Sequence, residues 1–142
     1  MPGFEPQTDI GIVVVPLDAA LETTPTVVEV ALLGCPVGAN MQIELLSVGF
    51  RTNTLPVDSA GTGTILVDIE FIDSSGSPDV SNLLANYDVE AATVLIYNSV
   101  WRGSQIMEAG DVINAEVASD GTHNTASEGA ALIVEYRVLR HS

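Results

Sequence analysis

The stretch TILVDIEFID, residues 64–73, decides the fold class because apolar side chains occupy every second position in it. The alternating apolar residues are Ile65, Val67, Ile69 and Phe71. Successive side chains of a β-strand point to opposite sides, so Asp68 and Glu70 would share the other side. We therefore predict a half-buried strand that keeps its carboxylates in water.

The same two-residue period recurs along the chain. It predicts further strands at residues 10–15, 27–33, 42–50, 112–117 and 132–138. In the strand at 42–50 the apolar positions change side near Leu45 and Leu46, which indicates a β-bulge. Turn-forming residues separate the strands, and we interpret one of these groups, Gly61-Thr62-Gly63, as a hairpin turn.

One stretch has a helical period instead. Its apolar residues at this spacing are Val80, Leu83, Leu84 and Tyr87. Because Asp79 could cap the first turn, we predict a short helix there. Residues 93–97 are rich in strand formers and predict another strand, whereas residues 98–104 resemble a loop in composition.

These elements predict an all-β fold: a single-domain antiparallel β-sandwich, or jelly-roll-like barrel, with at most one short helix. The sandwich domain would span residues 10–142. Residues 1–9 contain two prolines, a glycine and an isolated Phe4, a composition typical of an extended N-terminal arm. Such an arm could clasp a neighbouring subunit or simply fray.

Composition narrows the range of partners. The 142 residues include 19 acidic and four basic ones, with no lysine, giving a net charge of −15. Because 46% of the residues are hydrophobic and mean hydropathy is +0.34, we expect a folded domain with a negative surface. That surface would repel nucleic acids and anionic membranes, although the acidity could also reflect a salt-loving source. We see no signal peptide or membrane-spanning run, and we expect a soluble protein.

No catalytic motif is visible. Cys35 lies among apolar residues and is expected to be a buried, inert thiol. His123 and His141 have no recognisable partner and are interpreted as surface histidines. One cysteine and two distant histidines cannot form a zinc site. We therefore predict a protein that is not an enzyme and that has no cofactor and no metal site.

Carboxylates are the one abundant chemical group. Asp68 and Glu70 share a face, and Asp111, Glu116 and Asp120 are close in sequence. None of them matches an EF-hand loop, so solvated surface charge is the main interpretation. A carboxylate-pair hydrolase and a calcium ion held between subunits remain alternatives.

The C-terminal third carries a family resemblance. MEAGDVI, residues 107–113, opens a strand through a Gly-Asp turn, and GAALIVEY, residues 129–136, forms the last strand. This pair resembles the closing strands of jelly-roll modules in tailed-phage structural proteins and in trimeric TNF/C1q-like domains. The whole chain resembles the head decoration proteins of tailed phages, which cement and stabilise capsids and have jelly-roll or β-tulip-like folds.

The resemblance implies a non-enzymatic capsid decoration protein that binds the major capsid protein as a homotrimer. It implies a location on the capsid exterior of a virion assembled in the host cytoplasm. The alternative is a TNF/C1q-like trimer or a fibre-tip module that binds a protein or carbohydrate partner. An enzyme is the third and weakest reading.

Cations and large aromatic residues are the natural candidates for contact with an acidic partner. The predicted partner-binding residues are Phe4, Arg51, Trp101, Arg102, Arg137 and Arg140. Trp101 and Arg102 are adjacent and form the strongest candidate for a contact hot spot. The competing interpretation is that Trp101 caps one end of the sandwich.

Overall fold

Eight β-strands form two four-stranded sheets in the computed structural model, which describes residues 9–38, 40–75 and 79–140. The strands are β1 (Asp9–Pro16), β2 (Thr26–Gly34), β3 (Met41–Arg51), β4 (Ile65–Asp73), β5 (Asp79–Asp88), β6 (Asn98–Met107), β7 (Val112–Ser119) and β8 (Ala131–Arg140). A four-residue helix, α1 (Ala20–Thr23), follows β1, and a 3-10 turn (Val89–Ala91) follows β5. Within the described ranges, no helix is long and apolar enough to cross a membrane.

The strand order identifies a jelly roll. One sheet has the order β1-β8-β3-β6 and the other β2-β7-β4-β5, and every pairing is antiparallel. In the described chain, β4 and β5 are the only consecutive strands that share a sheet, and every other connection crosses to the opposite sheet. Two interlocked Greek keys of this kind define the eight-stranded jelly roll. The predicted all-β sandwich is therefore confirmed.

The core lies between the two sheets, where the inward positions of the strands meet. Its largest fully buried side chains include Leu45, Phe50, Ile69, Met107 and Ile113. Phe50 of β3 meets Tyr87 of β5 across the sandwich, with ring centroids 6.1 Å apart. Burying a side chain of this size contributes about 1.5–3 kcal/mol, so the alternating pattern read from sequence is the main source of stability.

The six strands predicted from the two-residue period all exist. The predicted bulge is also present, because the register of β3 against both β6 and β8 shifts between Leu45 and Ser47. The bulge leaves Leu45 and Val48 both facing the core, although they are three residues apart.

The helix predicted at residues 79–88 is wrong, since this segment is strand β5. β5 is an edge strand, and its register against β4 shifts between Val67 and Ile69 and again between Ile69 and Glu70. These irregularities interrupt the strict alternation that a regular strand would show. As a result, the apolar residues of β5 lie at a spacing that is also typical of a helix.

The predictions for residues 93–104 are also wrong. Residues 93–97 form a loop, and residues 98–104 belong to strand β6. The loop is closed by the Asn98 side chain, whose Nδ2 donates to the carbonyl oxygens of Thr93 (2.9 Å) and Ile96 (3.1 Å). Its Oδ1 accepts from the Thr93 N–H at 2.8 Å. Such local side-chain bonds replace the ladder bonds of a strand.

Candidate functional site

The sheet β1-β8-β3-β6 carries arginines on its outer face. Arg137 of β8 lies directly opposite Glu44 of β3 and Ile10 of β1. Arg102 of β6 lies opposite Ser47, in register with these outward positions. Arg51 follows the fully buried Phe50 and so points outward as well. We call this surface the arginine face, defined by Arg51, Arg102 and Arg137.

The other predicted contact residues are Trp101, Phe4 and Arg140. Trp101 is opposite the buried Val48, so its side chain packs half-buried against the core and lies over Gly103. It therefore points away from Arg102, its exposed neighbour in the strand. Phe4 lies outside the described residues. Of Arg140 the backbone alone is described, opposite Met41 in β3.

Arg137 is the arginine most tightly held on this face. Its Nη1 lies 3.5 Å from Oε1 of Glu44, a partly shielded ion pair between paired strands. Its Nε is buried and has no hydrogen-bond partner in the described part of the chain. Arg102 is exposed, so it is the arginine most available to a partner.

An apolar stripe borders the arginine face along β1. Ile10, Ile12 and Val14 are 59%, 65% and 59% exposed, and they are opposite Arg137, Glu135 and Ile133 of β8. Among the described strands β1 pairs with β8 alone, so its other edge is free. Free edges and contiguous exposed apolar side chains are typical of contact surfaces.

The loop between the 3-10 turn and β6 adds an aromatic ring to the same face. Its exposed apolar residues are Val94, Leu95, Ile96 and Tyr97. The Tyr97 ring lies on Gly49, where an added Cβ would overlap the ring. Gly49 is opposite Ile133, so Tyr97 covers the arginine face near one end of the sandwich. Sequence reasoning missed this feature because it assigned these residues to a strand.

The outer face of the other sheet carries a carboxylate cluster, which consists of Glu29, Glu70, Glu116 and Asp68. Glu29 is opposite Glu116, and Asp68 is opposite Glu116 on its other side. One carboxylate oxygen each from Glu29, Glu70 and Glu116 lies within 4.8 Å of the others. All four arginines of the chain belong to β3, β6 and β8, so the strands of this sheet contribute no basic side chain.

Glu70 is the buried member of the cluster, with 7% of its surface exposed. This overturns the expectation that Asp68 and Glu70 would both be solvated, because neighbouring outward side chains enclose Glu70 in the middle of the sheet. Burial, followed by the nearby Glu29, Glu116 and Asp68, raises the pKa of Glu70 to about 7. Burial and Glu29 also raise the pKa of Glu116.

The remaining predicted carboxylates hold loops together. Asp111 is buried, and its two oxygens accept from the backbone N–H of Ser74 (2.9 Å) and Glu108 (2.8 Å). Its prediction as surface charge is therefore wrong. Asp120 is exposed as expected, and hydrogen bonds from Thr122 lower its pKa.

His123 is buried rather than on the surface, which corrects the sequence interpretation. Its Nε2 lies 2.7 Å from Oε1 of Glu90, and its Nδ1 has no hydrogen-bond partner within the residues described. Nearby loops are tied by Glu22, a buried carboxylate that accepts from both the backbone N–H and the hydroxyl of Ser127. These long-range pairs have no local sequence signal. His141 lies outside the described residues.

Two smaller expectations have different outcomes. Cys35 is buried, as predicted, and burial raises the pKa of its thiol. Gly61-Thr62-Gly63 is not a hairpin turn, because β3 and β4 belong to different sheets. The loop instead wraps around Asp58, whose carboxylate accepts from the N–H groups of Thr62 and Gly63, and these bonds lower its pKa.

No family model matches this chain, and no curated protein matches it. Among solved structures, the chain is similar to the structure of infectious bursal disease virus Gt strain, with a TM-score of 0.47. The two sequences are 13% identical, and the match covers 97% of this chain. The Gx strain has a TM-score of 0.44 at 10% identity over 96% of the chain.

A mutant VP2 protein of the same virus, in derived T=1 particles, has a TM-score of 0.44 at 13% identity over 99% of this chain. The matches cover 34%, 34% and 36% of those viral chains, so this chain spans about a third of their length. All three similar structures are of a virus.

Proposed function

We propose that this chain is a non-enzymatic structural protein of a virion: a decoration protein that binds the outer capsid surface and stabilises the shell. In this proposal it acts as a homotrimer on the major capsid protein. The observation that carries the proposal is the arginine face with its apolar stripe on β1. It unites every arginine whose side chain is described with exposed apolar residues.

The apolar stripe supports a protein partner. Residues 10–15 are an almost continuous apolar run, which is typical of a strand buried on both sides. Val13 and Val15 pack against the core, whereas Ile10, Ile12 and Val14 face outward. A partner that covered these three side chains would recover roughly 1–2 kcal/mol for each of them.

Charge supports the choice of face. Because the chain has a net charge of −15, most of its surface would be repelled by an acidic partner. The arginine face is the side where cations partly offset that charge, whereas the opposite sheet presents the carboxylate cluster. Docking through the arginine face would therefore orient the carboxylate cluster away from the shell.

Jelly rolls occur in viral capsid domains and in lectins, so function must be argued from surfaces. The one histidine in the described ranges, His123, is buried with Nε2 engaged by Glu90. That arrangement supports a structural rather than a catalytic role for the pair.

The first experiment is co-sedimentation on a density gradient, with capsid-sized particles from the source lysate and the chain identified by mass spectrometry. We expect Ile12→Asp to remove the chain from the particle fractions. Val27→Asp is the matched control, because Val27 is 66% exposed, lies in a strand and faces outward from the other sheet. Equal particle binding by both variants would contradict the proposed face.

A second candidate is a TNF/C1q-like trimer or a fibre-tip module that binds its partner through the loops. The exposed loop from Val94 to Tyr97, closed by Asn98, favours it. If the loop is the binding site, the double substitution Leu95→Ser and Ile96→Ser would abolish binding to the partner, and Ile12→Asp would not. Light scattering after size exclusion would report whether each variant keeps its oligomeric state.

A further inference from the structure

The carboxylate cluster brings together oxygen ligands from three neighbouring strands. Glu29 comes from β2, Glu116 from β7 and Glu70 from β4, and β7 lies between the other two. The three ligand oxygens lie within 4.8 Å of one another. Three negative charges at this separation repel one another strongly unless a proton or a cation lies among them.

The acceptors in the cluster are incompletely satisfied. Oε1 of Glu70 is buried and has no hydrogen-bond partner among the residues described, although it belongs to a side chain more than nine-tenths buried. Asn114, opposite Glu70, has a buried Oδ1 that is likewise unpartnered in the described ranges. Buried polar atoms usually have a partner, so the unpartnered Oε1 of Glu70 points to a proton or a cation among the carboxylates.

Asn114 would provide a fourth oxygen if its amide turned. Its Nδ2 donates to Oε2 of Glu29 over 3.4 Å, so the amide adjoins the cluster. A half-turn of this amide would present Oδ1 in place of Nδ2. An amide oxygen beside carboxylates is a ligand set that Ca²⁺ prefers, and transition metals that favour nitrogen or sulfur would find neither here.

The character of the ligands favours calcium over magnesium. Ca²⁺ accepts six to eight oxygen ligands in a flexible geometry, whereas Mg²⁺ requires a near-ideal octahedron and gives up its water reluctantly. Glu29 is exposed and Glu116 half-exposed, so an ion could enter from solvent and keep water ligands. We infer that Glu29, Glu70 and Glu116, helped by Asn114, form a calcium site on the outer face of β2, β7 and β4.

Such an ion would lie within one chain and would join three strands. It would also replace mutual repulsion among the carboxylates with attraction to a shared charge. The site therefore differs in place and role from a calcium ion held between subunits. It does not depend on the arginine face or on any capsid partner.

The test is isothermal titration calorimetry with calcium chloride on the chain stripped by a chelator, at about 0.15 M salt. We expect one ion per chain and a dissociation constant of about 10⁻⁵–10⁻³ M. Glu70→Gln and, separately, Glu116→Gln should each weaken binding about tenfold or more, because each removes a charged ligand. Thermal melts of each variant would show that it is folded.

Glu135→Gln is the matched control, since it removes the same charge from the outer face of the opposite sheet. It should leave calcium affinity within about twofold of the original. The inference fails if all three variants bind calcium equally, or if no saturable binding occurs. It also fails if Mg²⁺ raises the melting temperature of every variant as much as Ca²⁺ does. The rise would then reflect general screening of negative charge.

Discussion

Glu70 illustrates how the outer face of a sheet can bury a charge. Its strand neighbours Ile69 and Phe71 face the core, so Glu70 must point outward. There it lies beside β7, where Glu116 and Asn114 enclose it. Alternation in the sequence predicted the direction of this side chain. Its burial depends on strands 40 or more residues away, and no local pattern contains that information.

Glu70 should make stability fall as pH rises. Its pKa moves from an ordinary value of 4.5 to about 7, so the folded chain retains a proton that the unfolded chain releases. The stabilisation is fully present below about pH 4.5 and is lost as pH rises through about 7. With a chelator present to remove divalent cations, we expect the melting temperature to fall by roughly 2–6 °C between about pH 4.5 and pH 7.

Glu70→Gln identifies the group responsible for this effect. The variant has no titratable group at that position, so its melting temperature should vary less with pH than that of the original chain. Glu135→Gln should keep the original slope. A slope unchanged in Glu70→Gln would assign the effect to general charge repulsion among Glu29, Glu116, Asp68 and the other acids instead.

Whole elements were predictable where packing is regular. Central strands β3, β4, β7 and β8 have a partner on both sides, and their inward residues alternate except at the β3 bulge. Edge strands β5 and β6 were misread, since one neighbour imposes weaker alternation and bulges disturb it. The loop from 93 to 97 was misread because its structure comes from one side chain rather than from propensity.

Asn98 should be essential to that loop. It donates to carbonyl oxygens of Thr93, Ile96 and Phe50, and it accepts from the Thr93 N–H. Asn98→Ala leaves these groups to water, so we expect a loss of about 2–3 kcal/mol in the free energy of unfolding. Urea denaturation measures the loss, and hydrogen exchange should show faster exchange at Thr93 and Leu95.

The control for this change is Asn82→Ala, on the exposed edge strand β5. It removes the same side chain from a solvated position and should cost less than about 0.5 kcal/mol. Similar losses in the two variants would mean that the loop does not depend on the Asn98 side chain.

At the scale of the whole molecule, the two outer faces differ in charge. The sequence named Arg51, Arg102 and Arg137 as contact residues, but it could not show that they share a face. That arrangement follows from the jelly-roll order, in which β3, β6 and β8 join one sheet across long connections. Trp101, named with them, points to the other side of its strand because neighbours in a strand alternate.

The net charge of −15 predicts a definite response to salt. Self-repulsion should weaken as sodium chloride rises, so the melting temperature should increase up to about 0.3 M and then level off. Thermal melts in a salt series measure this. A rise that continues steeply to molar salt would instead indicate adaptation to a salt-loving source.

Strand β8 lies between β1 and β3, and this position affects synthesis as well as stability. Among the described strands β1 leaves the ribosome first, yet its partner β8 leaves last. Until residues 131–140 emerge, β1 has no strand to pair with and its apolar residues stay unprotected. The sheet β1-β8-β3-β6 must therefore form after β8 is translated, which favours slow folding. Until then, β1 is a defined segment that chaperones could shield.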